Sequence, residues 1–185
     1  MTGLFGGAFD PPHNGHVALV ETALDHFDLE RLLVLVVIDP GHRSVELDFD
    51  RRFDLARLAF SGLPRTEVVP DEHAYTIDAV GDGRFGDAIF LVGADEFATF
   101  LSWKDPNGVL EHVRLGVATR PGHDRKSLEP VLAQLERPDC VEFFDIPAVP
   151  VSARNLRGRL ARGEPIDGLV PEAVAREIEA RGLYR

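Results

Sequence analysis

The sequence is poor in cysteine, short of basic residues and without a long apolar run. A single cysteine, Cys140, excludes an internal disulfide and a cysteine-rich metal site, and it fits a reducing compartment. The formal net charge of −11 argues against a nucleic-acid-binding or anionic-membrane surface, because those partners need a basic face. No apolar stretch approaches the length of a membrane span, and no secretion signal is visible. We therefore expect a cytoplasmic protein that binds neither nucleic acid nor membrane.

Apolar residues make up 44% of the 185 residues, which is enough for the core of one domain over residues 1–185. Apolar runs alternate with helical patterns along the chain, which predicts an α/β fold with a doubly wound parallel sheet and C-terminal helices. Cys140 lies in such a run and is expected to be a buried thiol. The main predicted strands are Thr2 to Phe5, Arg31 to Ile38, Thr66 to Val69, Asp87 to Val92, Leu115 to Thr119 and Val141 to Ile146. The main predicted helices are Asn14 onward, Phe49 to Phe60, Ser127 to Leu135 with Ser127 as N-cap, Leu156 to Leu160 and Pro171 to Arg181.

The first sixteen residues organise this pattern. A short buried strand is predicted to break at Gly6-Gly7 and to lead through a proline-containing loop into a helix near Asn14. Glycines let the backbone approach an anion, and the free N–H groups of a helix N-terminus point at it. His13 and His16 then stand where phosphates would lie, so the stretch predicts a nucleotide site.

The His-x-x-His spacing by itself has other interpretations. It can be half of a metal site, or two histidines that cap a helix start. Its position directly after a glycine-bearing strand end favours phosphate binding. We predict no protein metal site, because no third and fourth zinc ligands are obvious in the sequence.

Other polar residues follow predicted strands or begin helices, and so belong to the carboxyl edge of the sheet, where open α/β sheets bind ligands. Basic groups there suit phosphoryl or nucleotidyl transfer, which depends on positioning and electrostatics. Four candidate site residues, two at this edge and two elsewhere in the chain, can also be explained without a role in binding or catalysis. Trp103 could be a packing residue, Tyr75 could cap the core, and Arg120 and Arg157 could be solvated charges. The edge residues are His42, Arg43, Asp95, Arg120, Ser152 and Arg157.

The stretch from Gly6 to His16 resembles the GG-T-FDP-x-H-x-GH signature of the HxGH nucleotidyltransferase superfamily, and more narrowly that of bacterial nicotinate-nucleotide adenylyltransferases. Five further segments match that family in order and spacing. Residues 74–78 resemble its SYTIDT, residues 93–95 its GAD, residues 102–103 its TW, residues 119–123 its RPGY and residues 151–157 its ISSTxIR.

The resemblance implies a Rossmann-like nucleotidyltransferase fold and transfer of AMP from ATP to nicotinate mononucleotide, with release of pyrophosphate and with Mg²⁺ present. It implies catalytic roles for His13, His16 and Arg157. The ATP-binding residues would be Gly6, Gly7, Ala8, Phe9, His13, Gly15, His16, Asp95, Ser152 and Arg157. The acceptor-binding residues would be His42, Arg43, Tyr75, Thr76, Trp103 and Arg120.

Several departures from the family pattern leave the acceptor open. Arg43 replaces the lysine of the family's PPHK segment, Ala153 loses a hydroxyl, and Arg154 stands where threonine is usual; the segment from Ile77 to Phe85 is also short. The alternatives are a related nucleotidyltransferase with another acceptor, such as phosphopantetheine, or another nucleotide, such as CTP, and a nucleotide-binding protein without catalysis. The choice between nicotinate and nicotinamide, and between a monomer and a homo-oligomer, also stays open.

Overall fold

Six parallel strands form one sheet in the computed structural model, which describes residues 1–41, 44–120 and 125–185. The strand order is β3-β2-β1-β4-β5-β6, so the chain first builds outward from β1 on one side and then on the other. The predicted doubly wound Rossmann-like sheet is confirmed. The strands are β1 (Thr2–Gly7), β2 (Arg31–Val37), β3 (Thr66–Asp71), β4 (Ala88–Gly93), β5 (Arg114–Thr119) and β6 (Val141–Asp145).

Helices cover both faces of the sheet because the central strands are apolar on both sides. In β2, Leu32 and Val34 pack into the core on one face, whereas Leu33 and Leu35 pack into the core on the other. The helices are α1 (Asn14–His26), α2 (Phe49–Phe60), α3 (Thr76–Val80), α4 (Ala94–Phe97), α5 (Pro106–His112), α6 (Glu129–Leu132), α7 (Ala153–Ala161) and α8 (Glu172–Arg181). Short 3-10 turns span Phe100–Ser102, Arg125–Leu128 and Pro138–Cys140.

The end of β1 opens the sheet. β1 pairs with β2 as far as Gly7, opposite Val36, but it pairs with β4 only as far as Leu4, opposite Phe90. The two central strands therefore separate toward their carboxyl ends, at the place where the strand order reverses. Such a switch point is where open α/β sheets form their ligand crevice.

The predicted break of the first strand at Gly6-Gly7 is wrong, since both glycines are part of β1. Aromatic rings next to these glycines leave little room for side chains. A Cβ atom on Gly6 would lie 3.0 Å from the Phe90 ring, and one on Gly7 would lie 3.1 Å from the Phe9 ring. The two glycines thus make room for the rings of Phe90 and Phe9 at the crevice.

Two helix predictions also need correction. Ser127 does not cap a helix over residues 127–135: it lies inside a 3-10 turn, and α6 begins after Leu128 and is only four residues long. α5 was not predicted from the sequence, although Asp105 caps it by accepting a hydrogen bond from the Gly108 N–H at 3.0 Å and Pro106 is its first residue. An N-cap aspartate followed by proline is a recognisable helix start.

Cys140 is buried and free, as predicted. Within the described residues, none of the helices is both long enough and apolar enough to cross a lipid bilayer. The cytoplasmic location stays a prediction, and the choice between a monomer and a homo-oligomer stays open.

Candidate active site

A cleft of about 830 Å³ opens at the carboxyl ends of β1 and β4. The predicted site residues converge on it, although they come from segments as far apart in sequence as Gly6 and Arg157. His42 and Arg43 lie outside the described residues, as do residues 121–123 of the RPGY-like segment. The predicted residues that line the cleft are Gly6, Gly7, Ala8, Phe9, His13, Gly15, His16, Tyr75, Thr76, Asp95, Trp103, Arg120, Ser152 and Arg157.

His13 and His16 form a reciprocal cap at the start of α1. The His16 backbone N–H donates to His13 Nδ1 at 3.3 Å, and the His13 backbone N–H donates to His16 Nδ1 at 3.2 Å. The two imidazole rings are stacked, with centroids 3.6 Å apart and planes inclined by 13°. Because each Nδ1 accepts a hydrogen bond, each neutral ring carries its proton on Nε2 and offers one N–H donor there.

Both histidines are held neutral at physiological pH. Burial lowers the pKa of His13 to about 4, and the positive charge of Arg120 acts in the same direction. Burial also lowers the pKa of His16 well below its ordinary value, with a further contribution from His13. A proton on either Nδ1 would remove a hydrogen-bond acceptor of the cap, so the geometry opposes protonation as well.

Gly15 leaves room for this stacked arrangement. A Cβ atom at Gly15 would lie 3.1 Å from His13 Nδ1 and 3.4 Å from a methyl carbon of Val151. A side chain there would press on the His13 ring, so a glycine between the two histidines preserves their contact.

The start of α7 faces the same cleft. Ser152 is its N-cap and accepts a hydrogen bond from the Asn155 N–H at 3.2 Å. The N–H groups of Ala153 and Arg154 occupy positions that an α-helix leaves without intrahelical partners, and a helix N-terminus favours anions. Phosphate oxygens fit this end of the cleft.

Arg157 is fixed on the side of the cleft and is not a solvated charge. Its Nη1 donates to the carbonyl oxygen of Asp10 at 2.7 Å, and its Nε donates to Glu46 Oε1 at 2.9 Å. Its side chain is 19% exposed, which leaves part of the guanidinium facing the cleft. The interpretation of Arg157 as an exposed helix face is therefore wrong.

Aromatic and polar groups line the other half of the cleft, around α3. Trp103 is half-buried and packs edge to face on Phe100 and Phe90, with ring centroids 5.1 Å and 6.4 Å away. Tyr75 is 44% exposed, so it does not cap the core; Lys104 Nζ lies 5.1 Å from its ring centroid. Thr76 begins α3 and is half-buried.

Among the residues that the structure describes, no group of three or more His, Cys, Asp and Glu side chains is arranged to hold a metal ion. The amide hydrogens at the start of α7 and the guanidinium group of Arg157 are hydrogen-bond donors, which suit anions. A metal ion in this cleft would therefore depend mainly on ligands supplied by a substrate.

Comparison with known proteins identifies the chain's relatives. A sequence profile of the cytidylyltransferase-like family matches residues 4–159. A “probable nicotinate-nucleotide adenylyltransferase” from Bordetella avium is 37% identical over 195 residues, covering 99% of this chain and 97% of that protein. This chain belongs to the cytidylyltransferase-like family. A relative of the same name from Rubrobacter xylanophilus is 35% identical, with 99% of this chain and 91% of that protein covered.

A solved structure supports the fold. Plasmodium falciparum nicotinic acid mononucleotide adenylyltransferase, complexed with NaAD, superposes with a TM-score of 0.81 at 16% identity, covering 99% of this chain and 96% of that one. The resemblance to nicotinate-nucleotide adenylyltransferases is confirmed by the relatives, and with it the enzyme class, a nucleotidyltransferase.

Two departures from the family pattern have different places in the structure. Ala153 lines the cleft, so the hydroxyl that it lacks is missing from the site itself. Arg154 is exposed and is not among the cleft-lining residues, so its side chain does not enter the cleft at the start of α7. The second departure therefore leaves the cleft shape intact.

Several residues at the site were not predicted from the sequence. Asp10 is 3% exposed, and its carboxylate accepts hydrogen bonds from the Tyr184 hydroxyl at 2.7 Å and from the Glu46 N–H at 2.6 Å. The Asp71 carboxylate accepts a hydrogen bond from the His73 N–H at 3.1 Å and lies 2.8 Å from His73 Nδ1, and both residues line the cleft beside Tyr75. Asp10 lies inside the signature and could have been singled out, whereas nothing in the sequence connects it with Tyr184.

Arg52 was also missed, because the helical pattern of α2 placed it among polar residues. It is 1% exposed and lies beneath the loops that follow β1 and β2. Its guanidinium donates to four backbone carbonyls, and burial lowers its pKa although negative charge from Asp10 opposes that shift. The acceptors are the carbonyl oxygens of Leu47 at 3.2 Å, Ala8 at 2.8 Å, Val37 at 2.9 Å and Ile38 at 2.9 Å.

Proposed function

We propose that this member of the cytidylyltransferase-like family transfers the adenylyl group of ATP to nicotinate mononucleotide and releases pyrophosphate, a reaction of NAD biosynthesis. One observation carries the proposal. The neutral, stacked pair of His13 and His16 shares a cleft with the N-terminus of α7 and with Arg157, and together they offer hydrogen-bond donors to phosphates from two sides. The names of the relatives support nicotinate mononucleotide as the acceptor.

At the phosphate end, the two Nε2–H groups of His13 and His16 donate to nonbridging oxygens of ATP. These donors are fixed by the reciprocal cap before substrate arrives, so little reorganisation accompanies the reaction. Arg157 and the first turn of α7 hold the β and γ phosphates and stabilise the charge that builds on the leaving pyrophosphate. Asp95, exposed in the first turn of α4, accepts a hydrogen bond from a ribose hydroxyl.

The chemical step is an in-line displacement at the α-phosphorus. An oxygen of the acceptor 5′-phosphate forms a bond to the α-phosphorus while the bond from that phosphorus to the bridging oxygen of pyrophosphate breaks. The second pKa of a phosphate monoester is about 6, so the attacking oxygen is already ionised at neutral pH. No general base is needed, which agrees with histidines that act as neutral donors.

Around α3, the acceptor binds through its pyridine ring and its carboxylate. Trp103 stacks on the ring, and Thr76 and Tyr75 at the start of α3 contact the carboxylate. Arg120 lines the same cleft and, with His42 and Arg43 predicted from the sequence, supplies positive charge for the acceptor phosphate. Local basic groups are needed to bind a phosphate here, because the chain as a whole carries a net charge of −11.

Mg²⁺ is proposed as the companion of ATP. It would supply counter-charge and Lewis acidity to phosphates held by His13, His16 and Arg157, and it would need few protein ligands. The donor-rich lining of the phosphate end fits this arrangement. The residues of the chain then bind and orient the phosphates around the ion.

Pyrophosphate release tests the proposal directly. The protein is mixed with ATP, Mg²⁺ and nicotinate mononucleotide, and pyrophosphate and dinucleotide are measured together, with the His16→Ala protein as control. Parallel reactions contain nicotinamide mononucleotide, phosphopantetheine, or CTP in place of ATP. We expect the highest kcat/KM with ATP and nicotinate mononucleotide. Higher kcat/KM with another pair would refute the substrate assignment, and ATP binding without turnover of any acceptor would refute catalysis.

A further inference from the structure

The C-terminal end of the chain returns to the active site. α8 ends at Arg181, and Gly182 and Tyr184 both have left-handed backbones, with φ of 60° and 65°. These two residues turn the chain inward, so that Leu183 and Tyr184 are 8% and 7% exposed. The family profile matches residues 4–159 and thus does not include this segment.

The Tyr184 hydroxyl donates to Asp10 Oδ1 at 2.7 Å, in the middle of the signature loop. Burial and the negative charge of Asp10 raise the pKa of Tyr184, so the hydroxyl keeps its proton and remains a donor. The other carboxylate oxygen of Asp10 accepts the Glu46 N–H at 2.6 Å. One buried carboxylate therefore joins the signature loop, the loop after β2 and the C-terminus.

Arg157 rests on the same two residues. It donates to the carbonyl oxygen of Asp10 at 2.7 Å and to the carboxylate of Glu46 at 2.9 Å. By accepting the Glu46 N–H, the Asp10 carboxylate links the two residues that hold Arg157. Movement of that carboxylate would therefore loosen both acceptors of the guanidinium.

Gly168 and Leu169, just before α8, also form hydrogen bonds to the stretch that carries His13 and His16. Asn14 lies between His13 and Gly15, and its backbone N–H donates to the carbonyl oxygen of Leu169 at 3.0 Å. Its side-chain amide donates to the carbonyl oxygen of Gly168 at 2.8 Å. The C-terminal segment therefore contacts the signature on both sides of the proline pair.

We propose that Tyr184 is a positioning residue of the active site: through the Asp10 carboxylate it sets the orientation of Arg157 toward the phosphates of ATP. The inference rests on the proposed function, because it assigns Arg157 to the phosphates. Tyr184 does not touch substrate. Its loss should weaken ATP binding more than acceptor binding.

The test compares Tyr184→Phe with a matched control, Leu183→Ala. The phenylalanine keeps the buried ring and removes only the hydroxyl, whereas Leu183→Ala removes core packing next to it and keeps the hydroxyl. Steady-state kinetics and urea unfolding are measured for both. We expect Tyr184→Phe to raise the KM for ATP about tenfold, with less than a twofold change in the KM for the acceptor. Leu183→Ala should lower the unfolding midpoint at least as much and leave both KM values within about twofold.

Kinetic constants of Tyr184→Phe that match wild type, or equal effects of the two variants, would overturn the inference and leave the proposed function standing. A double-mutant cycle adds a second criterion. In an Asp10→Ala background, Tyr184→Phe should cause less than about a twofold further loss of kcat/KM, since the alanine already removes the acceptor of the Tyr184 hydroxyl. If the two substitutions instead lower kcat/KM by factors that multiply, Tyr184 acts independently of Asp10.

ATP binding without acceptor, measured by calorimetry, separates the two hypotheses. If wild type shows no turnover with nicotinate mononucleotide, the proposed function fails. The positioning role is then judged on ATP affinity alone. Weaker binding by Tyr184→Phe but not by Leu183→Ala supports it, and equal binding by all three proteins overturns it.

Discussion

The imidazole rings of His13 and His16 lie face to face, 3.6 Å apart, and each ring accepts the backbone N–H of the other residue. One arrangement thereby gives acceptors to two N–H groups at the start of α1, of which the His16 N–H is shared with the His13 carbonyl oxygen at 2.9 Å, and it fixes both tautomers. Helix capping and phosphate binding were competing interpretations of the spacing. The structure shows that they are compatible, because capping uses Nδ1 and leaves Nε2 for a ligand.

Replacing His16 by alanine should lower kcat by about 100-fold or more, which is the usual cost of removing one fixed donor from a transition state. The loss of its contribution to the cap should cost only about 1 kcal/mol of unfolding free energy. Steady-state pyrophosphate release and urea unfolding measure the two effects. His112→Ala is the control, because His112 is exposed at the end of α5 and is not among the cleft-lining residues. A kcat within a few-fold of wild type would remove His16 from the catalytic role.

The His13→Asn variant tests the neutral state of the pair through stability. The pKa of His13 is about 4 in the folded protein and 6.5 as the ordinary value, so the unfolded chain binds more protons between these pH values. The unfolding free energy should therefore fall as pH is lowered from 6.5 toward 4, by on the order of 3 kcal/mol from this residue.

Asparagine is a good N-cap and does not titrate, so His13→Asn should keep the cap and lose this part of the pH dependence. Urea unfolding of both proteins at several pH values between 7 and about 4.5 measures the difference, and contributions of the carboxylates cancel. Parallel curves for the two proteins would mean that His13 titrates normally in the fold.

Strands and helices were predictable where the pattern is strong and local. The aliphatic run of β2 and the periodicity of α1 and α2 agree with the structure to within about one residue. The end of β1 was not predictable, because a glycine pair normally signals a turn. Here both glycines remain in the strand and leave space for Phe90 and Phe9, which is a tertiary contact that no local pattern contains.

The same limit applies to the site. The residues that line the cleft could be predicted because they lie in motifs at strand ends. The residues that hold them could not, since those contacts join distant parts of the chain. Tyr184 and Asp10 are 174 positions apart, and Arg52 looks like one more charge on an amphipathic helix until its carbonyl acceptors are known.

Arg52 and Arg51 are adjacent in sequence but differ in burial, so they can be compared to test the bridging role of Arg52. Arg52 is 1% exposed and bridges the ends of β1 and β2 through four carbonyl oxygens, whereas Arg51 makes an ion pair with Asp48 on the surface. A lysine has one nitrogen and cannot reach all four acceptors. Arg52→Lys should therefore cost at least about 2 kcal/mol of unfolding free energy, and Arg51→Lys less than about 0.5 kcal/mol. Equal urea midpoints would contradict the bridging role.

Trp103 allows acceptor binding to be observed directly, because it is the only tryptophan in the chain. Its ring already packs edge to face on Phe100 and Phe90, so it is held in place before a pyridine ring arrives. Nicotinate mononucleotide should change the tryptophan emission, whereas ATP alone should change it little.

Replacing Trp103 by alanine should raise the KM for nicotinate mononucleotide roughly tenfold, as expected for the loss of one stacking contact, and leave the KM for ATP nearly unchanged. Trp103→Phe is the matched variant, since it keeps an aromatic face and should lose only part of the effect. Steady-state titrations of each substrate give both constants. A similar rise in the two KM values would show that Trp103 supports the whole cleft through packing on Phe100 and Phe90, and would assign recognition of the pyridine ring to other residues.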